Sequence, residues 1–188
     1  VGHMAWYAES RTAFEREWFA GSAMTIERLM WRHWPAAAPL FMAEGPGVVR
    51  CAPLQVFWPD LVEGPLLPAI QSEAKRGADT QIPASVVLQS TDTPAVLGLA
   101  LWRWDPVWPE TCVVDVFCHR DYWSRATALL AALPLPTCRR HVAFADPTCP
   151  AKQDALQAAG FSRVAILPKR IPATRGGTDL IDVVQMEK

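Results

Sequence analysis

Between Thr111 and Ala145 the chain reads strand, helix, strand in roughly 35 residues, and this unit constrains the fold more than any other stretch. In "TCVVDVFC", Val114, Val116 and Cys118 alternate with Val113, Asp115 and Phe117, the two-residue period of a strand with two faces. "HRDYWSRATALLAAL" follows at once as a helix from His119 to Leu133, "PLPT" breaks it, and "RHVAFA" supplies a second β-rich run. A connection of that length leaves two strands parallel and crosses over right-handed. Every other element has to be arranged around one parallel pair.

Those other elements are mostly hairpin-like. "ASVVLQSTDTPAVLGLALWRW" predicts strands near 85–90 and 95–104 about the turn "STDTP". "SRVAILPKRI" and "DLIDVVQM" predict two last strands joined through "PATRGGT". "DPTCPAKQDALQAAGF" predicts a helix with both ends marked: Asp146 as cap, Pro147 at the first helical position, Gly160 at a left-handed terminus and Phe161 folding back on Leu156. Residues 66–76 predict a helix carrying Pro68 in its first turn and ended by Gly77. Upstream, residues 9–34 predict two short helices, broken at Gly21-Ser22 and stopped by Pro35, and two strands follow at 40–44 and 48–57. The expected architecture is α+β: a mixed, mostly antiparallel sheet with a central parallel strand pair and helices on both faces. Residues 1–46 are expected to form an N-terminal helical and strand extension, with the main domain at 47–188. A loose echo of the 111–150 unit in the first hundred residues raises a partial internal repeat.

Composition excludes several classes. With 51% hydrophobic and 20% charged residues the chain can bury a sizeable core, and a net charge of -1 supplies no field for nucleic acid or an anionic membrane. No apolar run approaches the ~18–20 residues of a bilayer span, so a soluble, cytoplasmic protein is expected. "VGHM" at 1–4 reads as a cloning remnant, with Met4 as the natural start. The five cysteines show no zinc-type spacing and read as reduced core thiols, so no metal is expected. Trp31 and Trp34 share a helix face at i,i+3, while Trp102 and Trp104 share a strand face at i,i+2. Core packing and an exposed stacking platform are both compatible with these pairs.

From Gly47 onward this order of elements resembles the GNAT superfamily of acyl-coenzyme A dependent N-acyltransferases. "AVLGLALWR" is similar to that family's third strand, "VVDVFCHRDYWSRATALL" to its fourth strand, diphosphate turn and third helix, and "FADPTCPAKQDALQAAGF" to its fifth strand and fourth helix. The resemblance implies acetyl-CoA or another acyl-CoA as cosubstrate. Its pantetheine arm would lie between splayed fourth and fifth strands against Val116, Phe117 and Cys118, and its diphosphate would rest on amides at the helix start. The family's turn of Arg or Gln, two variable residues, Gly, one variable residue, then Gly or Ala corresponds here to Trp123, Ser124, Arg125, Ala126, Thr127 and Ala128. Trp123 departs from it, and Ala126 replaces the first glycine. Arg120 and Arg125 can pair with phosphate or stand solvated, and Ser124 can simply cap the helix.

For chemistry, the resemblance implies a carboxylate base that frees an amine to attack the thioester and an acid that protonates the leaving thiolate. Asp115, an acid within an apolar run whose pKa burial would raise, is the candidate base, and Glu110 is the second choice; an ordinary carboxylate is the competing reading for each. Leu156 stands where the family has its tyrosine acid and Cys149 where it often has asparagine. Tyr122 reads as structural, and His33 and His141 as packed histidines. Two functions follow: acetyl transfer from coenzyme A to a small-molecule or peptide amine, in a chain whose aromatic richness suits a homodimer, or a catalytically silent GNAT-like module that binds a metabolite or partner.

Overall fold

A computed structural model of the chain describes residues 12–59 and 66–188. Residues 12–18 form α1. Then come β1 (Met24–Arg28), α2 (His33–Met42), the short strands β2 (Val49–Cys51) and β3 (Val56–Phe57), and α3 (Leu66–Arg76). After the hairpin of β4 (Ser85–Ser90) and β5 (Val96–Trp104) follow β6 (Thr111–Cys118), α4 (Ala126–Ala132), β7 (Arg140–Ala145), α5 (Pro150–Ala158), β8 (Ser162–Pro172) and β9 (Leu180–Glu187). Seven strands form one sheet in the order β1-β4-β5-β6-β7-β9-β8, and β2 pairs with β3 as a separate ribbon. Within the large sheet every neighbouring pair is antiparallel except β6 with β7.

Helices cover both faces. Gly98 of β5 stands opposite Cys118, and a Cβ at Gly98 would come within 2.8 Å of Cys118 Sγ and 2.9 Å of Leu129 Cδ1, so α4 lies on the Cys118 face. Phe117, one residue earlier, points to the opposite face. There it stacks on Phe41 of α2, with ring centroids 5.9 Å apart. Trp102 is fully buried and donates its indole N–H to Pro134 O (2.9 Å), while half-buried Trp104 packs against the core and donates to Gln81 O (2.8 Å), so both indoles have their polar atoms satisfied.

The N-terminal quarter differs from expectation. Residues 24–28 form an edge strand on β4, where a helix is predicted. Pro35 lies in the first turn of α2, where a missing N–H removes no helical bond, so it starts the helix it was expected to stop. Helix α2 runs on to Met42 over the predicted strand at 40–44, anchored by buried Ala36, Ala37, Leu40 and Phe41 despite Pro39 in its interior. Trp31 therefore precedes the helix that holds Trp34, and the two rings stack at 5.6 Å across its entrance. The predicted strand at 48–57 is interrupted by a 3-10 turn at Ala52–Leu54, after which Gln55 takes a left-handed conformation. Because β1 belongs to the large sheet, residues on both sides of the expected 46/47 boundary share it. Residues 9–11 of the first predicted helix lie outside the described residues.

Downstream, two helix starts shift. Residues 120–125 form a 3-10 helix, leaving α4 seven residues long. Helix α5 begins at Pro150, so Pro150 and not Pro147 occupies the first helical position, and Asp146 is released from helix capping for other partners. Gly160 does take the left-handed terminus (φ +91), and Phe161 N donates back to Leu156 O (3.0 Å). Among the described residues, no helix is long and apolar enough to cross a membrane.

Candidate functional site

The site is built on the way β6 and β7 separate. They pair only through Thr111–Val113 and Arg140–Val142. Beyond Val142, β7 continues its ladder with β9 while β6 continues with β5, so a wedge opens between them. Side chains from both sides converge on it. Asp115 projects from β6, Asp146 follows the end of β7, and Lys152 sits in the first turn of α5. Lys152 Nζ lies 2.5 Å from Asp115 Oδ1, and each side chain is 1% exposed.

The chain's own residues 45–52 run along this wedge. A Cβ at Gly45 would meet Arg120 Cβ at 3.7 Å, at the start of the 3-10 helix. Gly47, at φ +102, is packed so that a Cβ would come within 3.1 Å of Cys149 Cβ, at the entrance to α5. Val48 N and Val49 N both donate to Asp146 Oδ2 (2.9 and 2.8 Å), and Lys152 Nζ donates to Val49 O (2.9 Å). Ala52 N then donates to Asp115 Oδ2 (2.7 Å). Arg50, fully buried, donates to Phe41 O and Ala43 O (2.9 and 2.7 Å) at the C-terminal end of α2, where carbonyl groups favour a cation. Its guanidinium carbon lies 5.0 Å from the Phe117 ring centroid. From Val48 to Ala52 the peptide is held beside the wedge by bonds between its backbone and the side chains of Asp115, Asp146 and Lys152.

Of the predicted site residues, Asp115 touches this peptide and Glu110 lies away from it. Asp115 is where a base was expected, and burial pushes its carboxyl above the usual range against the opposing effects of Lys152 and the Ala52 and Val116 amides. Its oxygens are already engaged by Lys152, Ala52 N and Val116 N (2.7 Å). Glu110 is exposed at the far end of β6, in a left-handed turn (φ +55), roughly 16 Å of strand away from Asp115. The two acids are not brought together. Val116, Phe117 and Cys118 are buried. Trp123 is half-buried and meets Phe117 edge-on at 5.9 Å.

At the turn itself, Arg120, Ser124, Arg125, Thr127 and Ala128 are exposed and Ala126 is fully buried. Within the 3-10 geometry Tyr122 N donates to His119 O (2.9 Å) and Ala126 N to Trp123 O. The N-terminal segment closes over the same turn. Tyr122 Oη donates to Phe19 O (2.5 Å), and the Phe19 ring stacks on His119 at 4.1 Å. Burial holds the His119 imidazole below its usual range. In this conformation the backbone of residues 48–52 holds the polar groups of Asp115, Asp146 and Lys152, and Tyr122 N and Ala126 N are engaged within the chain. Of the residues that organise the wedge, Asp146 was marked in the sequence only as a helix cap, and Lys152 and Arg50 carried no marker.

No family model and no curated protein matches the chain. Solved structures do. A GNAT-family acetyltransferase from Streptococcus pneumoniae aligns with 88% of this chain and 98% of its own, at TM-score 0.62 and 12% identity. The chain has the GNAT fold. A putative acetyltransferase from Salmonella typhimurium, solved with its cofactor acetyl-CoA, aligns at TM-score 0.60 and 17% identity over 89% of this chain and 94% of its own. A spermidine N-acetyltransferase from Vibrio cholerae, in complex with CoA and spermine, aligns at TM-score 0.57 and 13% identity over 89% and 96%. Identity this low carries architecture and not chemistry.

Proposed function

We propose that this GNAT-fold protein is a binding module in which residues 45–52 stand in for the pantetheine arm, so that it binds a small molecule without transferring an acyl group. The observation that carries this reading is the set of buried bonds from Asp115, Asp146 and Lys152 to the backbone of residues 48–52. Next to that peptide lies a cavity of about 560 Å³ whose lining includes Ala52, Arg103, Trp104, Asp105, Val113 and Phe144. A guanidinium, a carboxylate and an indole in that lining together suit a small amine that also carries an acid group, such as an amino acid or a peptide end.

A second reading, acetyl transfer from acetyl-CoA to an amine, is favoured by the open β6–β7 wedge and by the ligands of the Salmonella and Vibrio structures. It requires residues 45–52 to leave the wedge. Thermal-shift titration with acetyl-CoA separates the two. The binding-module reading expects no shift at millimolar ligand. A saturable shift approaching about 2.7 kcal/mol at a hundredfold over Kd, together with amine-dependent thiol release, would establish the second reading and overturn the first.

A further inference from the structure

At the paired end of β6 and β7, opposite the wedge, three side chains converge that the proposed function does not use. Cys112 is the second residue of β6, His141 the second residue of β7, and Cys138 stands just before β7. Cys112 pairs directly with His141 in the parallel ladder, so residues 29 positions apart in sequence become neighbours. The turn Cys138-Arg139-Arg140-His141 then returns a second sulfur to the same place. The two Sγ atoms and an imidazole nitrogen all lie within 4.8 Å of one another.

The spacing suits a shared ion. A tetrahedral zinc with Zn–S of about 2.3 Å and Zn–N of about 2.0–2.1 Å holds its sulfur and nitrogen ligands about 3.5 Å apart and two sulfurs slightly further. Cys138 Sγ and His141 Nε2 are 3.5 Å apart. Two sulfurs and an imidazole form a borderline-soft donor set, which disfavours magnesium and calcium. Cys112 is fully buried while Cys138 and His141 are half-exposed, which leaves one side of the cluster toward solvent.

We propose that Cys112, Cys138 and His141 form a zinc site with three protein ligands and a fourth position open to water. On binding, the two thiols release their protons to solvent and the thiolates take their place as ligands. Nε2 gives up its contact with Pro136 O (3.0 Å), its proton moves to Nδ1 in the other tautomer, and its lone pair binds the ion. The ion staples the two strands where their ladder is only three residues long, directly before they diverge. The absence of zinc-type spacing in the sequence is overridden by strand register, which substitutes for proximity along the chain.

The test uses the full chain, reduced and stripped of metal with a chelator. Zinc titrated against a chromophoric competitor is expected to bind one equivalent and raise the melting temperature. Cobalt(II), the spectroscopic probe, is expected to show thiolate-to-metal charge transfer and the visible bands of a tetrahedral site. Cys138→Ser and His141→Gln, both at half-exposed positions, are each expected to abolish stoichiometric zinc binding and the cobalt spectrum while circular dichroism stays unchanged. If Cys138→Ser proves unstable, His141→Gln decides alone. Failure of the wild-type chain to take up one equivalent overturns the site, as does an unchanged cobalt spectrum in His141→Gln.

Discussion

Lys152→Met tests the wedge most directly. In the native chain Lys152 Nζ meets Asp115 Oδ1 at 2.5 Å and Val49 O at 2.9 Å, with both charged side chains 1% exposed. Methionine fills most of the same space without the charge, leaving the Asp115 carboxylate buried with only the Ala52 and Val116 amides as partners. Removing one partner of a buried ion pair costs about 3–5 kcal/mol. At about 2–4 °C per kcal/mol for a chain of this size, that is a fall in Tm of roughly 6–20 °C. The double variant Asp115→Asn, Lys152→Met keeps a carbonyl for Ala52 N and buries no charge, while Val116 N and Val49 O lose these partners, so it recovers part of the loss. Acidity supplies a second readout. Burial already raises the Asp115 carboxyl, and loss of the lysine raises it further. Folded Lys152→Met then keeps a proton that the unfolded chain gives up above about pH 4. Its stability therefore falls as pH rises toward the folded value, by at most about 1.4 kcal/mol per pH unit. Urea unfolding followed by tryptophan fluorescence at pH 5 and pH 8 measures both effects. A single variant within about 1 kcal/mol of wild type, or a double variant no more stable than the single, would refute the ion pair as the organiser of the wedge.

Asp146→Ala removes the acceptor of Val48 N and Val49 N, at about 1–3 kcal/mol for each orphaned buried donor. Hydrogen exchange should accelerate at those two amides and leave the central β5 amides slow. Gly47→Ala meets both a left-handed backbone and the Cys149 Cβ at 3.1 Å, and thermal melts should show a loss of about 1–3 kcal/mol, more than Gly77→Ala, where φ is +50 but nothing lies within 4 Å. Because burial lowers the His119 imidazole, its NMR titration should have a midpoint below about 6.5, and its contribution to stability should be lost as pH falls from there toward the folded value. A midpoint at or above that value would contradict the packing of His119 under Phe19.

Local period and end signals made much of the fold legible. The β6–α4–β7 crossover, the β4–β5 hairpin, α3 with Gly77 and the C-terminal strands each carry their signal in the period, caps and turns of their own continuous stretch. The errors cluster where the signal is ambiguous. In "TIERLMWRHW", Ile26, Leu29, Met30 and His33 have helical spacing, yet the segment gains more by completing an edge ladder on β4, and Pro35 serves a helix start as well as a stop. Asp115 could be picked out as a buried acid because a charge in an apolar run stands out. Its partner Lys152 could not, since a lysine on a short helix looks like any solvated one.

What the sequence determined by itself is the parallel pair and the GNAT-like order around it, because alternation, helix length and connection length are properties of neighbouring residues. What only tertiary structure decided is what fills the gap between those strands and what meets at their closed end. Val49 finds Lys152 across 103 residues, and Cys112 finds His141 by strand register. Contacts at such separation are selected by the packing of the whole sheet, and no local pattern encodes them.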